Sequence, residues 1–160
     1  MKLMKMNVKF MIVKNVLPVD LIDTCLAAVL DAVEARNSDY AALVGCQARP
    51  SDEYALDFKQ QRDDFQELAI RLRDGRASWR GDLAELDESQ KHQLLDDLRQ
   101  VLTAIRIAAF DTGLHARQAG SSDSEIVAEL EKYAKLDYEI RGEVLPWLKA
   151  DLGVTETQAY

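Results

Sequence analysis

Cysteine and histidine, the residues that most often build disulfide frameworks and metal sites, are scarce in this sequence of 160 residues. Each type occurs twice, as Cys25 and Cys46 and as His92 and His115. Two cysteines make no disulfide framework and have no metal-binding spacing, so we expect two reduced thiols in a cytoplasmic protein. Neither histidine has a glutamate three residues before it, which excludes the Glu-x-x-His pairs of di-iron bundles. We expect neither a metal nor a cofactor.

Long apolar runs and aromatic residues are also few. No segment approaches the roughly 18 consecutive apolar residues of a membrane span, so none is expected. The lysines at positions 5, 9 and 14 interrupt the apolar stretch that a signal peptide needs, and no small-residue cleavage site follows. Aromatic residues make up 7% of the chain, whereas alanine and leucine are abundant, which favours helices over sheets.

Charge is unevenly distributed along the chain, with acidic residues in excess after its start. The formal net charge is −8, but residues 1–19 hold four lysines and no acidic residue, which leaves −12 for residues 20–160. A region as acidic as residues 20–160 repels the phosphate backbone of nucleic acids, so direct binding of nucleic acid is not expected. It attracts basic proteins instead, because opposite charges steer two molecules together.

Apolar residues recur at helical spacing in four stretches, which predicts an all-α bundle of about four main helices with short connecting helices. Capping residues support the boundaries: Asp87 and Ser122 each precede a capping-box partner by three residues, and Gly120 is suited to end a helix. Pro146 predicts a kink or a restart in the last helix. The predicted stretches are 18–37 with a short second piece, capped by Ser38 and Asp39, through Val44; one that follows Pro50, with Ser51 as its cap, and stops at Gly75; one from Asp87; and one from Ser122.

The third helix is apolar around most of its circumference. One stripe is widened by neighbouring leucines and continued around the helix by further apolar side chains, so we predict that the other helices surround it. The residues are Leu94, Leu98, Val101, Ile105 and Ala108 in the stripe, Leu95, Leu102 and Ala109 beside it, and Ile107, Phe110 and Leu114 beyond.

The chain is predicted to have three parts: a basic arm at 1–17, a single helical domain at 18–153 and a flexible tail at 154–160. Within the arm, residues 7–13 (NVKFMIV) are ambiguous. Apolar residues at 8, 10 and 12 alternate as in a strand, whereas those at 6, 10, 13 and 17 suit a helix. A lone strand needs a partner for its edges, so the arm either joins two copies into a homodimer or packs on the bundle as a helix.

The segment 112–120, TGLHARQAG, resembles the active-site loop of the phosphocarrier HPr of the bacterial sugar phosphotransferase system. That resemblance covers about eight residues, and it implies that His115 accepts phosphate and that Arg117 helps to hold it. Gln118 stands where the family has proline, and the 45 residues after His115 predict a kinked helix without the strands of that fold. We therefore favour a helix end in which Asp111 and His115 form an i, i+4 pair.

Asp137 is the polar residue of the last helix that most suggests a site. It lies on the predicted inner face, and Arg141 follows one turn later in the order that favours an ion pair. The two residues form either a structural ion pair at the core margin or, with Tyr138 nearby, part of a ligand-binding or acid–base site.

Acidic residues cluster at positions that helical periodicity assigns mostly to outer faces. Such clusters are either a solvated surface or a surface that docks a basic protein. They are Asp63, Asp64, Asp96, Asp97, Glu125, Glu129, Glu131, Glu139 and Glu143.

These patterns favour a non-enzymatic interaction module, such as an inhibitor, antitoxin or immunity protein that neutralises a basic protein partner. The alternative is a helical-bundle enzyme or small-ligand sensor that uses Asp137, Arg141 and His115. A deep pocket that encloses these three residues would favour the alternative, whereas a solid core with an acidic outer face would favour the module.

Overall fold

The computed structural model describes residues 19–45, 53–75 and 85–153. These residues form an all-α bundle of four main helices, as predicted, and they contain no strand. The arm (1–17), the tail (154–160) and Cys46 lie outside the described residues. The helices are α1 (Val19–Gly45), α2 (Glu53–Gly75), α3 (Glu88–Gln118) and a last helix in three parts: α4 (Asp123–Glu139), a π-helical turn (Ile140–Val144) and α5 (Leu145–Leu152).

Both predicted capping boxes are present. The Asp87 carboxylate accepts the backbone N–H of Gln90, and the Gln90 side chain accepts that of Asp87. Ser122 and Glu125 make the same exchange at the start of α4. Gly120, just after α3, has a φ of 82°, a left-handed conformation that glycine adopts without strain. Local sequence therefore accounts for these boundaries.

α1 is a single helix of 27 residues, whereas the sequence predicts two pieces with a cap at Ser38. The helix continues because its second half packs on α2, and tertiary contacts of this kind outweigh a local capping signal. Arg36 shows the contact: it donates to Gln61 of α2 at 2.6 Å and to Asp39, one turn later, at 2.8 Å.

The bundle is built around the contact between α1 and α3. α2 packs mainly on α1, and α4 and α5 pack mainly on α3, whereas the pairs α2–α3 and α1–α4 make few contacts. Two clefts therefore flank the central pair, one between α2 and α3 and the other between α1 and α4. The fully buried large side chains are Val29, Leu68, Leu72, Leu94, Leu95, Leu102, Ile140, Leu145 and Leu148.

The prediction that α3 is surrounded is wrong for one of its faces. Leu98, Val101 and Ile105 are buried, but Phe110 is 74% exposed and Leu114 is 42% exposed. The reason is the divergence of α2 from α3, which leaves this side of α3 uncovered by any helix in the described part of the chain.

The chain remains helical through the region where the sequence predicts a kink or a restart: α5 begins at Leu145, directly after the π-helical turn. Pro146 lies in the first turn of α5, and because proline has no N–H it donates no hydrogen bond to the preceding turn. The π-helical turn directly before α5 contains one residue more than an α-helical turn, and this changes the angular positions of its residues about the helix axis.

Truncation of a buried side chain in α3 tests this core. We expect Leu98→Ala and Ile105→Ala each to lower the free energy of unfolding by about 2–4 kcal/mol, because each removes buried apolar volume. Phe110→Ala is the matched control on the same helix and should change it by less than about 0.5 kcal/mol. Urea unfolding measures all three, and equal losses at Phe110 and Leu98 would contradict this description of α3.

Candidate functional site

Asp97, predicted on an outer face, is buried with 1% of its surface exposed. Its carboxylate accepts hydrogen bonds from Arg71 Nε at 3.2 Å and from Gln93 Nε2 at 2.9 Å. The predicted outer position is wrong because Arg71 comes from α2, and only the packing of the two helices brings this cation to the carboxylate. The pair offsets the cost of burying the charge and links α2 to α3.

Glu139 and Glu143 also differ from their predicted outer positions. Glu139 is 5% exposed, and burial raises the pKa of its carboxyl; Lys135 opposes the shift, whereas Glu143 adds to it. Glu143 is half-buried, and both of its carboxylate oxygens are shielded and unpaired within the described residues. Glu143 lies within the π-helical turn, where α-helical periodicity does not assign faces, whereas Glu139 is the last residue of α4 and is buried beside Leu136 and Ile140 of the core.

Replacement of Glu139 by glutamine tests its burial. The raised pKa means that the folded protein binds this proton more tightly than the unfolded chain, so stability falls as pH rises from 4.5 through the folded-state pKa. We expect Glu139→Gln to be more stable than wild type at pH 7, with the gain disappearing below pH 4.5.

Urea unfolding at several pH values measures this difference, and Glu129→Gln, at an exposed position of α4, is the control. A Glu139→Gln variant that loses stability at pH 7 would show that the carboxylate is favourably paired when the protein is folded.

The other predicted acidic residues fall into three groups. Asp64, Asp96, Glu129 and Glu131 are exposed. Asp63 is half-buried and pairs with Arg62 at 3.1 Å. Glu125 is exposed, but its carboxylate caps α4, and hydrogen bonds to Ser122 lower its pKa. The exposed acidic residues belong to three different helices. They are only part of the set that the sequence assigned to outer faces, because Asp97, Glu139 and Glu143 are not exposed.

His115 lies at the end of α3, as we favoured. Residues 112–118 form the last turns of the helix, and Asp111 Oδ2 lies 3.3 Å from His115 Nδ1. The resemblance to the phosphocarrier therefore does not extend to structure, because this segment is helical and no strand accompanies it in the described residues.

The pair of Asp137 and Arg141 is present, but it lies apart from His115. Arg141 Nε donates to Asp137 Oδ1 at 2.9 Å, and both side chains are about one-third exposed, at the margin of the core. The cleft that His115 lines includes neither residue. The structure therefore does not enclose the three residues of the alternative site in one pocket.

The cleft between α1 and α4, which we call the polar cleft, has a volume of about 270 Å³ and is open to solvent. At its inner side, Tyr133 Oη donates to Asp31 Oδ2 at 2.7 Å and lies 3.4 Å from the Thr112 hydroxyl. Burial, with a further contribution from Asp31, raises the pKa of Tyr133 to about 12. Tyr133 thus keeps its proton at neutral pH and acts as a link between helices. The lining residues are Asp31, Glu34, Ser38, Ala108, Asp111, Thr112, His115, Lys132 and Tyr133.

Removal of this link tests its contribution. We expect Tyr133→Phe to lower the free energy of unfolding by about 1–2 kcal/mol, because the variant loses the hydrogen bond to a carboxylate. Together with Asp31→Ala, it forms a double-mutant cycle that measures the pair directly, with an expected coupling of about 1 kcal/mol. Strictly additive effects in urea unfolding would show that the two side chains act independently.

The cleft between α2 and α3, which we call the apolar groove, is larger, with about 560 Å³ in its main part. Four of its lining side chains are apolar: Phe58 from α2, and Ile107, Phe110 and Leu114 from α3. An extension of about 460 Å³ continues the groove past Gln61 and Thr103, which border both parts. The other lining residues are Arg36, Asp39, Arg106 and Asp111 in the main part, and Asp64, Phe65, Glu67, Arg71 and Gln100 in the extension.

The charge of the apolar groove depends on which of its arginines are already paired. Arg36 bonds to Asp39 and lies 4.8 Å above the Phe58 ring, and Arg71 bonds to the buried Asp97. These contacts compensate two of the positive charges within the protein itself. Among the described lining residues, the carboxylates of Asp64, Glu67 and Asp111 therefore exceed the remaining cation, Arg106.

Sequence reasoning missed both clefts as such. It assigned Phe110 and Leu114 to the core, where the structure exposes them, and it placed Tyr133 on an inner face correctly but did not single out Asp31 as its partner. The link between Tyr133 and Asp31 joins positions 102 residues apart, so no local spacing reports it.

Comparisons of the chain with models of known families, with curated proteins and with solved structures give no match. Within the described residues, no group of three or more histidine, cysteine, aspartate or glutamate side chains is placed to hold a metal ion. In the same part of the chain, none of the helices combines the length and the apolar character that crossing a membrane requires.

Proposed function

We propose that this protein is a non-enzymatic interaction module that binds an amphipathic, basic helix of a protein partner in the apolar groove. The observation that carries the proposal is the exposure of Phe110, 74% of whose surface faces solvent at the mouth of the groove, beside Leu114. Exposed apolar side chains that line a concave surface are typical of a protein-binding site.

The shape of the groove favours a helical ligand. It is lined along its length by α2 and α3, with Arg36 and Asp39 of α1 at one end, and its lining on α3 extends from Gln100 to Leu114, a distance of about 21 Å along the helix axis. A partner helix of about 14 residues has the same length and can place apolar side chains from successive turns against Phe58 and Phe110.

Charge favours a basic partner. Asp64, Glu67 and Asp111 line the groove, and the whole chain carries a net charge of −8. The apolar contacts provide affinity, whereas the carboxylates speed association and select against acidic competitors. An inhibitor, antitoxin or immunity protein that neutralises a basic protein is the class that these features support.

The alternative, a ligand site formed by Asp137, Arg141 and His115, has no comparable support, because the three residues do not share a cleft. We therefore do not propose it.

Affinity capture from the native host, followed by mass spectrometry, tests the proposal with three full-length baits: wild type, Phe110→Asp and Val127→Asp. Val127 is 68% exposed on α4 and provides the matched control, because the same charge is introduced at an exposed apolar position outside the groove. We expect wild type and Val127→Asp to capture the same basic protein, more strongly at low salt, and Phe110→Asp to lose it.

Binding is then measured with the captured protein in purified form. A partner that Phe110→Asp retains with unchanged affinity, or an acidic partner, would overturn the proposed function.

A further inference from the structure

We propose that the arm, residues 1–17, occupies the apolar groove of its own chain when no partner is bound. The inference rests on the proposed use of the groove for a basic, amphipathic helix, and it identifies the arm as a competitor for that helix. Residues 1–18 lie outside the described part of the structure, so support comes from the composition of the arm, its point of attachment and its length.

The arm can present one apolar face and positive charge to the groove. In a helix, five of its eleven apolar residues, at 3, 6, 10, 13 and 17, form one stripe, because they recur at intervals of three and four; the other six lie outside this stripe. The lysines at 2, 5 and 9 follow the same intervals one position earlier, so they lie along one edge of this stripe. The apolar stripe matches Phe58, Ile107 and Phe110, and the lysines match the carboxylates of the groove.

The arm joins the bundle at the end of the groove that Arg71 marks. The hydrogen bond from Arg36 to Gln61 fixes the pairing of α1 with α2, which run in opposite directions. Val19 precedes Arg36 by 17 residues, or about 26 Å of helix, and therefore lies near the end of the bundle at which α2 finishes. Arg71, which donates to Gln100, lies in the last turns of α2 near this same end.

The arm is long enough to cover the groove. A helix of 17 residues spans about 26 Å, and an extended chain of that length spans more, whereas the lining from Gln100 to Leu114 spans about 21 Å. Pro18 separates the arm from α1, because the residue before a proline disfavours helical geometry. The chain can therefore reverse its direction at this point and return along the groove, and no second copy is required.

The site of contact is tested in the full-length protein by photo-crosslinking. Phe10 is replaced by p-benzoylphenylalanine, an aromatic residue that forms covalent bonds to nearby atoms when irradiated, and the products are mapped by mass spectrometry. We expect crosslinks within one chain to groove residues of α2 and α3. The yield should fall sharply in Phe110→Asp and persist in Val127→Asp, the same matched pair as above.

Crosslinks to the polar cleft or to α4 would overturn the proposal. Crosslinks between chains only, in the dimer fraction of a sizing column, would overturn it as well and would instead favour a homodimer formed through the arm.

Competition with the partner provides the second measurement. Phe10→Ser removes the central apolar side chain of the arm without a change of charge. If the arm covers the groove about nine-tenths of the time, only about one-tenth of the wild-type molecules are free to bind. We therefore expect this full-length variant to bind the purified partner about tenfold more tightly than wild type. Unchanged affinity would contradict competition.

The two proposals fail separately. If Phe10 crosslinks to the groove but Phe110→Asp leaves partner binding unchanged, the proposed position of the arm is supported and the proposed function is rejected. If Phe110→Asp abolishes partner binding but Phe10 crosslinks elsewhere, the proposed function is supported and the proposed position of the arm is rejected.

Discussion

The contact between α1 and α3 determines the shape of the rest of the bundle. These two helices contribute four alanines to the core, Ala28 and Ala32 from α1 and Ala104 and Ala108 from α3, and small side chains permit helices to approach closely. Because these two helices meet across the centre, α2 and α4 each cover only one of them well. The two clefts follow directly from this arrangement of the helices.

Each cleft is bridged at one level by a polar pair that joins helices making few other contacts. Asp97 and Arg71 connect α3 with α2, and Asp31 and Tyr133 connect α1 with α4. Each pair has one buried partner; such a pair adds modest net stability, but a buried polar group left without its partner is costly, so the pairs select one alignment of the helices over others. We interpret the two pairs as alignment devices that fix the positions of α2 and α4 relative to the central pair, which in turn sets the width of both clefts.

The sequence predicts the helices better than it predicts their environment. Capping boxes at Asp87 and Ser122 and the apolar periodicity of α3 depend on residues within one or two turns, and these local signals are correct. The exposure of Phe110 depends instead on the divergence of α2, which no property of α3 itself reports. A buried acid such as Asp97 is likewise recognisable only when its partner, 26 residues away, is known. Consequently the fold class follows from the sequence, whereas the candidate groove does not.

The π-helical turn at Ile140–Val144 keeps α4 and α5 aligned although the chain holds one residue more there than a regular α-helical turn. An α-helix turns by about 100° per residue, so the extra residue in regular α-geometry would rotate α5 by about that angle. Leu145 and Leu148, which are 1% and 0% exposed, would then leave the core. Because the wider turn takes up most of this rotation locally, deletion of one residue from it leaves a regular α-helix in which α5 keeps nearly the same orientation.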